Sequence, residues 1–241
     1  LNSNTYDEKL ILTNQFKILN IVKIFIINCL ITNNKNRNDI LTIIQSKQFQ
    51  LNEFITIRSF NKIKVEYNIN HQFLCVFKLF NKDDYNNIKL YNREIQFYKD
   101  IGNKNCYFPK FYGTLEDKHY KYLIMEYING NTLNELFNNN IKINYNTKLK
   151  IILQLIIAVQ FIHYHGYCHR DIKPNNIMID SDYNAKLIDF DIAKHIDADN
   201  NQNTNDLGSN YYISPEQFYS EYSLKSDIYS LGVVFYELLT G

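Results

Sequence analysis

Between residues 52 and 81 apolar and polar positions come in short, partly alternating bursts. FITIRSF (54–60), KIKVEYNI (62–69) and FLCVFKLF (73–80) are rich in Ile, Val and Phe and are set apart by polar residues, the texture of three successive strands. NIKLYNREIQFYKDIG (87–102) changes to helical spacing and closes on Gly102. KFYGTLED (110–117) and KYLIMEYI (121–128) return to strand texture. Beyond them the pattern is helical. NTKLKIILQLIIAVQFIHYHG (146–166) predicts a long apolar helix with Asn146 or Thr147 as its cap and Gly166 as its stop, and KSDIYSLGVVFYELLTG (225–241) predicts a second. Strands with one helix first and helices afterwards describe an α+β protein in two lobes. Residues 1–50 read as one or two helices joined by an Asn-rich linker at 33–39, with no chemistry of their own.

Composition narrows the function classes. Lys plus Arg number 26 against 25 Asp plus Glu in 241 residues, so no long-range field draws the chain to nucleic acid or an anionic membrane. Cys29, Cys75, Cys106 and Cys168 form no CxxC pair, which argues against a zinc ribbon or a disulfide framework and fits a reducing, intracellular and cytoplasmic setting. The most apolar early run, FKILNIVKIFIINCLI (16–31), is broken by Lys17, Asn20, Lys23 and Asn28 and falls short of the roughly 20 residues of a bilayer span. A buried or partner-facing helix is the expectation there, with no signal peptide. The start at Leu1 and the stop at Gly241 suggest a fragment.

The densest chemistry lies in HRDIKPNNIMID (169–180). His169, Arg170 and Asp171 are followed by Lys173 and Asn176, and Asp189 comes eighteen residues after Asp171. A carboxylate to accept a hydroxyl proton, an amine to neutralise a moving phosphoryl group, and an amide and a second carboxylate to hold magnesium are the groups that phosphoryl transfer requires. His163, His165 and His169 fall at a helix end running into this loop, a poor arrangement for zinc.

With these residues the sequence resembles the eukaryotic-type protein kinases. The resemblance implies a bilobal fold with a small β-rich N-lobe at about 51–127 and a helical C-lobe at about 128–241, the latter without the family's last helices. It implies ATP and Mg2+ as cofactors and a protein hydroxyl as acceptor. Asp171 takes the place of the base and Lys173 that of the phosphate-stabilising cation; Asn176 and Asp189 stand as metal ligands, and Lys78 with Glu94 as the nucleotide clamp. Val65, Val76 and Met178 would enclose the adenine, Met125 would guard the back of its pocket, and backbone groups of Glu126 and Ile128 would bond its edge. GSNYYISPE (208–216) resembles the end of the activation segment, with Glu216 in its closing motif. Asp227 matches the helix aspartate that braces the catalytic loop. Arg170 implies pairing with a phosphate on the activation segment, for which Thr204 and Ser209 are candidate acceptors. Lys173, Gly208 and Ser209 resemble the serine/threonine branch and disfavour a small-molecule phosphotransferase.

Three features depart from the pattern. No glycine precedes Gly102, so Arg58, Phe60 and Ile63 occupy the places where the family's glycines let backbone approach phosphate. Asp191 follows Asp189 and Phe190 where the family has glycine, which predicts a stiffer hinge and an extra carboxylate near the metal. If the whole protein stopped at Gly241, the family's last helices would be absent, and Glu216 would lack its family partner and the Asp227 helix would be partly uncovered. An alternative reading is therefore a catalytically weak or inactive pseudokinase that binds nucleotide or serves as a scaffold.

Overall fold

The computed structural model describes residues 50–240 apart from 61, 71, 197–210, 220 and 221. The helices expected in residues 1–49, and Thr204, Gly208 and Ser209, lie outside the described residues. The chain divides into two compact units, residues 1–78 and 79–241.

In the first unit β1 (Phe54–Phe60), β2 (Ile63–Asn68) and β3 (Phe73–Asn81, which runs on into the second unit) form an antiparallel meander. Residues paired across an antiparallel ladder share a face, and the register places Ile63 opposite Lys78 and Val65 opposite Val76. Successive residues of β3 alternate between faces, so Cys75 and Phe77 lie on the other side, where both are buried. Phe77 also meets Phe54 edge-on, with ring centroids 4.8 Å apart. The glycine-free stretch folds as an antiparallel pair of strands whose register shifts between Thr56 and Arg58. Arg58, Ser59 and Phe60 pair with Val65, Lys64 and Ile63, and no described residue of β1 or β2 has a positive φ.

The second unit begins with the end of β3 and continues into helix α1 (Tyr85–Asp100). Asp84 caps α1 by accepting from the backbone of Asn86 at 2.9 Å and Asn87 at 3.4 Å. Asn87, Tyr91, Glu94, Phe97 and Tyr98 are its buried stripe. The helix ends through Ile101, and Gly102 opens a short 3-10 turn without a positive φ. Gly102 closes the helix as expected from the sequence, without a left-handed backbone; a Cβ there would come within 2.3 Å of the Tyr98 ring.

Strands β4 (Phe111–Glu116) and β5 (Tyr120–Glu126) form a hairpin. Asp117 holds its turn, accepting from His119 N at 2.8 Å, Tyr120 N at 2.7 Å and the Tyr122 hydroxyl. Asp117→Ala removes all three bonds from an exposed turn and is expected to lower stability by about 1 kcal/mol, read as a fall in melting temperature of roughly 3 °C.

Next come β6 (Gly130–Thr132) and helix α2 (Leu133–Asn138). Helix α3 (Tyr145–Tyr164) follows, capped by Asn144, whose side chain accepts from Thr147 N at 2.9 Å. The cap therefore lies two or three residues before the Asn146 or Thr147 read from sequence. Gly166 does stop the helix, at φ +75°. Among the described residues α3 is the one helix long and apolar enough to cross a membrane. Its Ile151, Leu155, Ala158, Val159 and Ile162 form a buried stripe and its Gln154 accepts from Ala185 N at 2.9 Å, while Leu149, Leu153 and Ile156 are exposed.

Strands β7 (Tyr167–Cys168), β8 (Ile177–Asp180), β9 (Ala185–Leu187) and β10 (Lys194–His195) complete two small antiparallel sheets, ordered β6–β8–β9 and β7–β10. The last helix, α4 (Leu224–Thr240), buries Asp227, Ser230, Leu231, Val234 and Leu238 and exposes Ile228, Tyr229, Tyr236 and Leu239.

Candidate active site

A buried carboxylate organises the loop after β7. Asp227, on α4, accepts from His169 N at 2.8 Å, Arg170 N at 2.9 Å and His163 Nε2 at 2.8 Å. Burial alone would raise its pKa, but the bonds from His163 and the two backbone N–H groups, with His169 nearby, outweigh that and hold it below the usual carboxylate range. A carboxylate depressed in the folded state contributes stability that is complete above its unfolded value and is lost as pH falls through the folded one. The melting difference between wild type and Asp227→Asn is therefore expected to be constant from neutral pH to about pH 5 and to shrink below about pH 4, measured by thermal melts across pH. A difference that grew on acidification would contradict this assignment.

The three loop histidines have separate partners: His163 binds Asp227, His165 lies 2.9 Å from Phe161 O, and the ring of His169 lies 3.1 Å from Ile188 O. They do not converge on a metal. Arg170, buried and at φ +73°, stacks its guanidinium on Tyr222 at 3.7 Å from the ring centroid.

Asp171 is the centre of the loop. Its Oδ2 lies 2.6 Å from Lys173 Nζ and accepts from Asn176 Nδ2 at 2.9 Å, and Asn176 Nδ2 also donates to Asp171 O at 2.9 Å. Both bonds from Asn176 leave through its nitrogen, so its Oδ1 is the atom left to serve as an oxygen ligand. Ile188 N donates to Asn176 O at 2.9 Å, which ties the segment before Asp189 to the same loop.

Phe190 is fully buried. Its ring stacks on Phe97 at 3.8 Å and meets Phe108, Tyr98 and His169 at 5.3, 5.8 and 4.9 Å. This cluster fixes the backbone on either side of Phe190. The left-handed residue is Asp189, at φ +68°, while Asp191 has no positive φ. The hinge strain expected at Asp191 thus falls on Asp189, a residue type that tolerates the region better than most. Carboxylate oxygens of Glu94, Asp189 and Asp191 lie within 4.8 Å of one another, so Asp191 does add a negative group beside Asp189. Oxygen donors grouped in this way could hold a hard divalent ion such as Mg2+.

In the second unit Met125 and Glu126 are buried at the end of β5, Ile128 is half-buried just beyond, and half-buried Met178 sits on β8 opposite Lys186. In the first unit Val65, Val76 and Lys78 share one face of the meander, with Lys78 buried. Glu216 accepts from Ser226 Oγ at 2.9 Å, a partner other than the one the family resemblance implies. Tyr212 is fastened to α4 through its hydroxyl on Glu237 at 2.7 Å and its carbonyl oxygen, which accepts from Ser230 Oγ at 2.6 Å. Tyr212, Tyr222, Lys186 and the His163 contact carry no signal in a single sequence, because each depends on a partner dozens of residues away.

Residues 57–241 match the protein kinase domain model, and the chain belongs to that family, with the bilobal α+β fold that defines it. Among its relatives are proteins named serine/threonine-protein kinases. It is 38% identical over 156 residues to the serine/threonine-protein kinase PrkC of Bacillus subtilis, a match that covers 64% of this chain and 24% of that protein. It is 39% identical over 153 residues to a probable serine/threonine-protein kinase of Clostridium acetobutylicum, covering 63% and 23%. Similarity extends to plants: the CDPK-related kinase 3 of Arabidopsis thaliana is 36% identical over 154 residues, covering 62% and 25%. The matched part thus spans about a quarter of these relatives' length.

Proposed function

We propose that the chain carries the catalytic domain, residues 51–241, of a serine/threonine protein kinase that transfers the γ-phosphoryl group of Mg-ATP to a protein hydroxyl. The observation that carries this reading is the Asp171 carboxylate, held between Lys173 Nζ at 2.6 Å and Asn176 Nδ2 at 2.9 Å. A carboxylate so fixed can orient a substrate hydroxyl and accept its proton as the phosphoryl group departs. Lys173, beside it, offsets negative charge on the moving group. Asn176, through Oδ1, and Asp189 are the proposed metal ligands, and Lys78 with Glu94 the proposed nucleotide clamp. When bound, Mg2+ would neutralise charge on the phosphates. Val65 and Val76, opposed across the β2–β3 ladder, would cover the adenine from above. Met178 would floor the pocket, Met125 would close its back, and Glu126 and Ile128 would bond the base edge through their main chain.

A second reading, a pseudokinase, draws on Asp191, whose carboxylate beside Asp189 and Glu94 adds charge that the phosphates must face, and on the hairpin without glycine. Incubation with γ-labelled ATP and peptides bearing Ser, Thr or Tyr separates the two. Metal-dependent label on Ser or Thr supports the kinase. Stabilisation by Mg-ATP with no transfer, in a folded protein of natural length, supports the pseudokinase and overturns the kinase.

A further inference from the structure

Lysine side chains are strongly hydrated and rarely buried. Lys186, on β9, is an exception: its side chain is 12% exposed, and Nζ lies 2.5 Å from Oε2 of Glu126, whose own side chain is 8% exposed. The same Oε2 accepts from Lys110 N at 3.1 Å, while Glu126 N donates to Lys110 O at 2.8 Å. Two donors thus fix the carboxylate, and a main-chain bond fixes the backbone that bears it. Lys186 Nζ also reaches Phe108 O at 3.5 Å. Both charges are withdrawn from water, so neither is readily replaced by solvent if its partner is lost.

Lys186 also stands at a junction. It pairs across the β8–β9 ladder with Met178, and the next residue, Leu187, donates its N–H to Tyr107 O at 2.8 Å. Asp189 follows three positions on. One side chain therefore links the end of β5, with Met125 and Glu126, to the strand pair that carries Met178 and leads to Asp189.

We propose that Lys186 is a positioning residue for the nucleotide base: by anchoring Glu126 it holds the main chain of Glu126 to Ile128 in place for the edge of a purine. The inference rests on the nucleotide reading above and deepens it. Without the ammonium group the Glu126 carboxylate loses the charge beside it while still withdrawn from water, and relief comes from turning toward water and carrying the strand end with it. Asp171, Lys173 and Asn176 make their mutual bonds without Lys186. The loss is therefore expected in binding and not in turnover.

The test uses the full chain and compares wild type, Lys186→Met, Lys186→Arg and Glu126→Gln in Mg-ATP affinity and in steady-state transfer. Lys186→Met is expected to raise Kd and KM for ATP about tenfold with kcat held within about twofold, and to narrow the preference for ATP over GTP. Lys186→Arg, which keeps a donor and the charge, should recover most of the affinity. An equal fall in kcat with unchanged KM, or unchanged affinity in folded Lys186→Met, overturns the proposal. If Lys186→Met does not fold, Glu126→Gln decides: weaker ATP binding by about threefold supports it, and wild-type affinity overturns it. Failure of the wild-type protein to bind ATP would instead defeat the nucleotide reading itself, and the proposal with it.

Discussion

Asp171→Asn is expected to lower the turnover number for phosphate transfer by about 10²- to 10⁴-fold and to leave the fold intact. Asn is nearly isosteric with Asp and keeps an oxygen that can accept from Lys173 or from Asn176, the two donors at 2.6 and 2.9 Å from Oδ2. What it loses is the ability to take a proton. The two hydrogen bonds to Asp227 that set the loop backbone arise from His169 N and Arg170 N, and the substitution touches neither. Melting temperature should therefore change little, and ATP affinity should stay within about threefold of wild type. A variant that loses affinity and turnover together would indicate that Asp171 holds the nucleotide or the loop rather than the proton.

Phe190→Ala is the largest expected loss of stability. The side chain is fully buried and makes four ring contacts, with Phe97 stacked nearly parallel at 3.8 Å and 10°. Truncation removes the transfer energy of the ring and leaves a cavity among stiff aromatic neighbours that cannot collapse to fill it, a cost of about 3–5 kcal/mol. Thermal melting should fall by roughly 10 °C. Because Asp189 precedes the ring and His169 touches it, transfer should fall as well, even at temperatures where the variant remains folded. Phe190→Leu, which keeps most of the volume, should lose less than half as much stability. Equal effects from Ala and Leu would mean that the aromatic stack, and not cavity volume, sets the cost.

Much of this was legible in the chain because the determinants are local. The three β-bursts after residue 52, the strands on either side of Asp117 and the helices at 146 and 225 follow from side-chain period and from stops such as Gly166. The loop chemistry was legible because His169 to Asn176 is contiguous and its members bond one another. The misses have physical causes. The capping box of α2, Thr132 with Glu135, was written in NTLNEL, but a helix this short carries too little periodicity to stand out. Asp191 was given the hinge strain because glycine usually marks it, whereas the backbone puts positive φ on Asp189. Lys186 as the partner of Glu126 depends on an approach between distant segments, and Ser226 as the partner of Glu216 on a turn of the chain ten residues long; neither is encoded by period or spacing.

Retention of the Asp171–Lys173–Asn176 cluster argues for catalysis, while Asp191 and the glycine-free hairpin bear on nucleotide handling and are expected to lower rate or affinity before they abolish transfer. The central claim is that Asp171 makes this protein a phosphate-transferring enzyme. Its most direct test is the initial rate of label transfer from γ-labelled Mg-ATP to a serine or threonine acceptor, measured for wild type and Asp171→Asn at natural length and matched melting temperature. A wild-type rate at least about 100-fold above the variant is predicted; equal rates, with both proteins folded and stabilised by Mg-ATP, would contradict it.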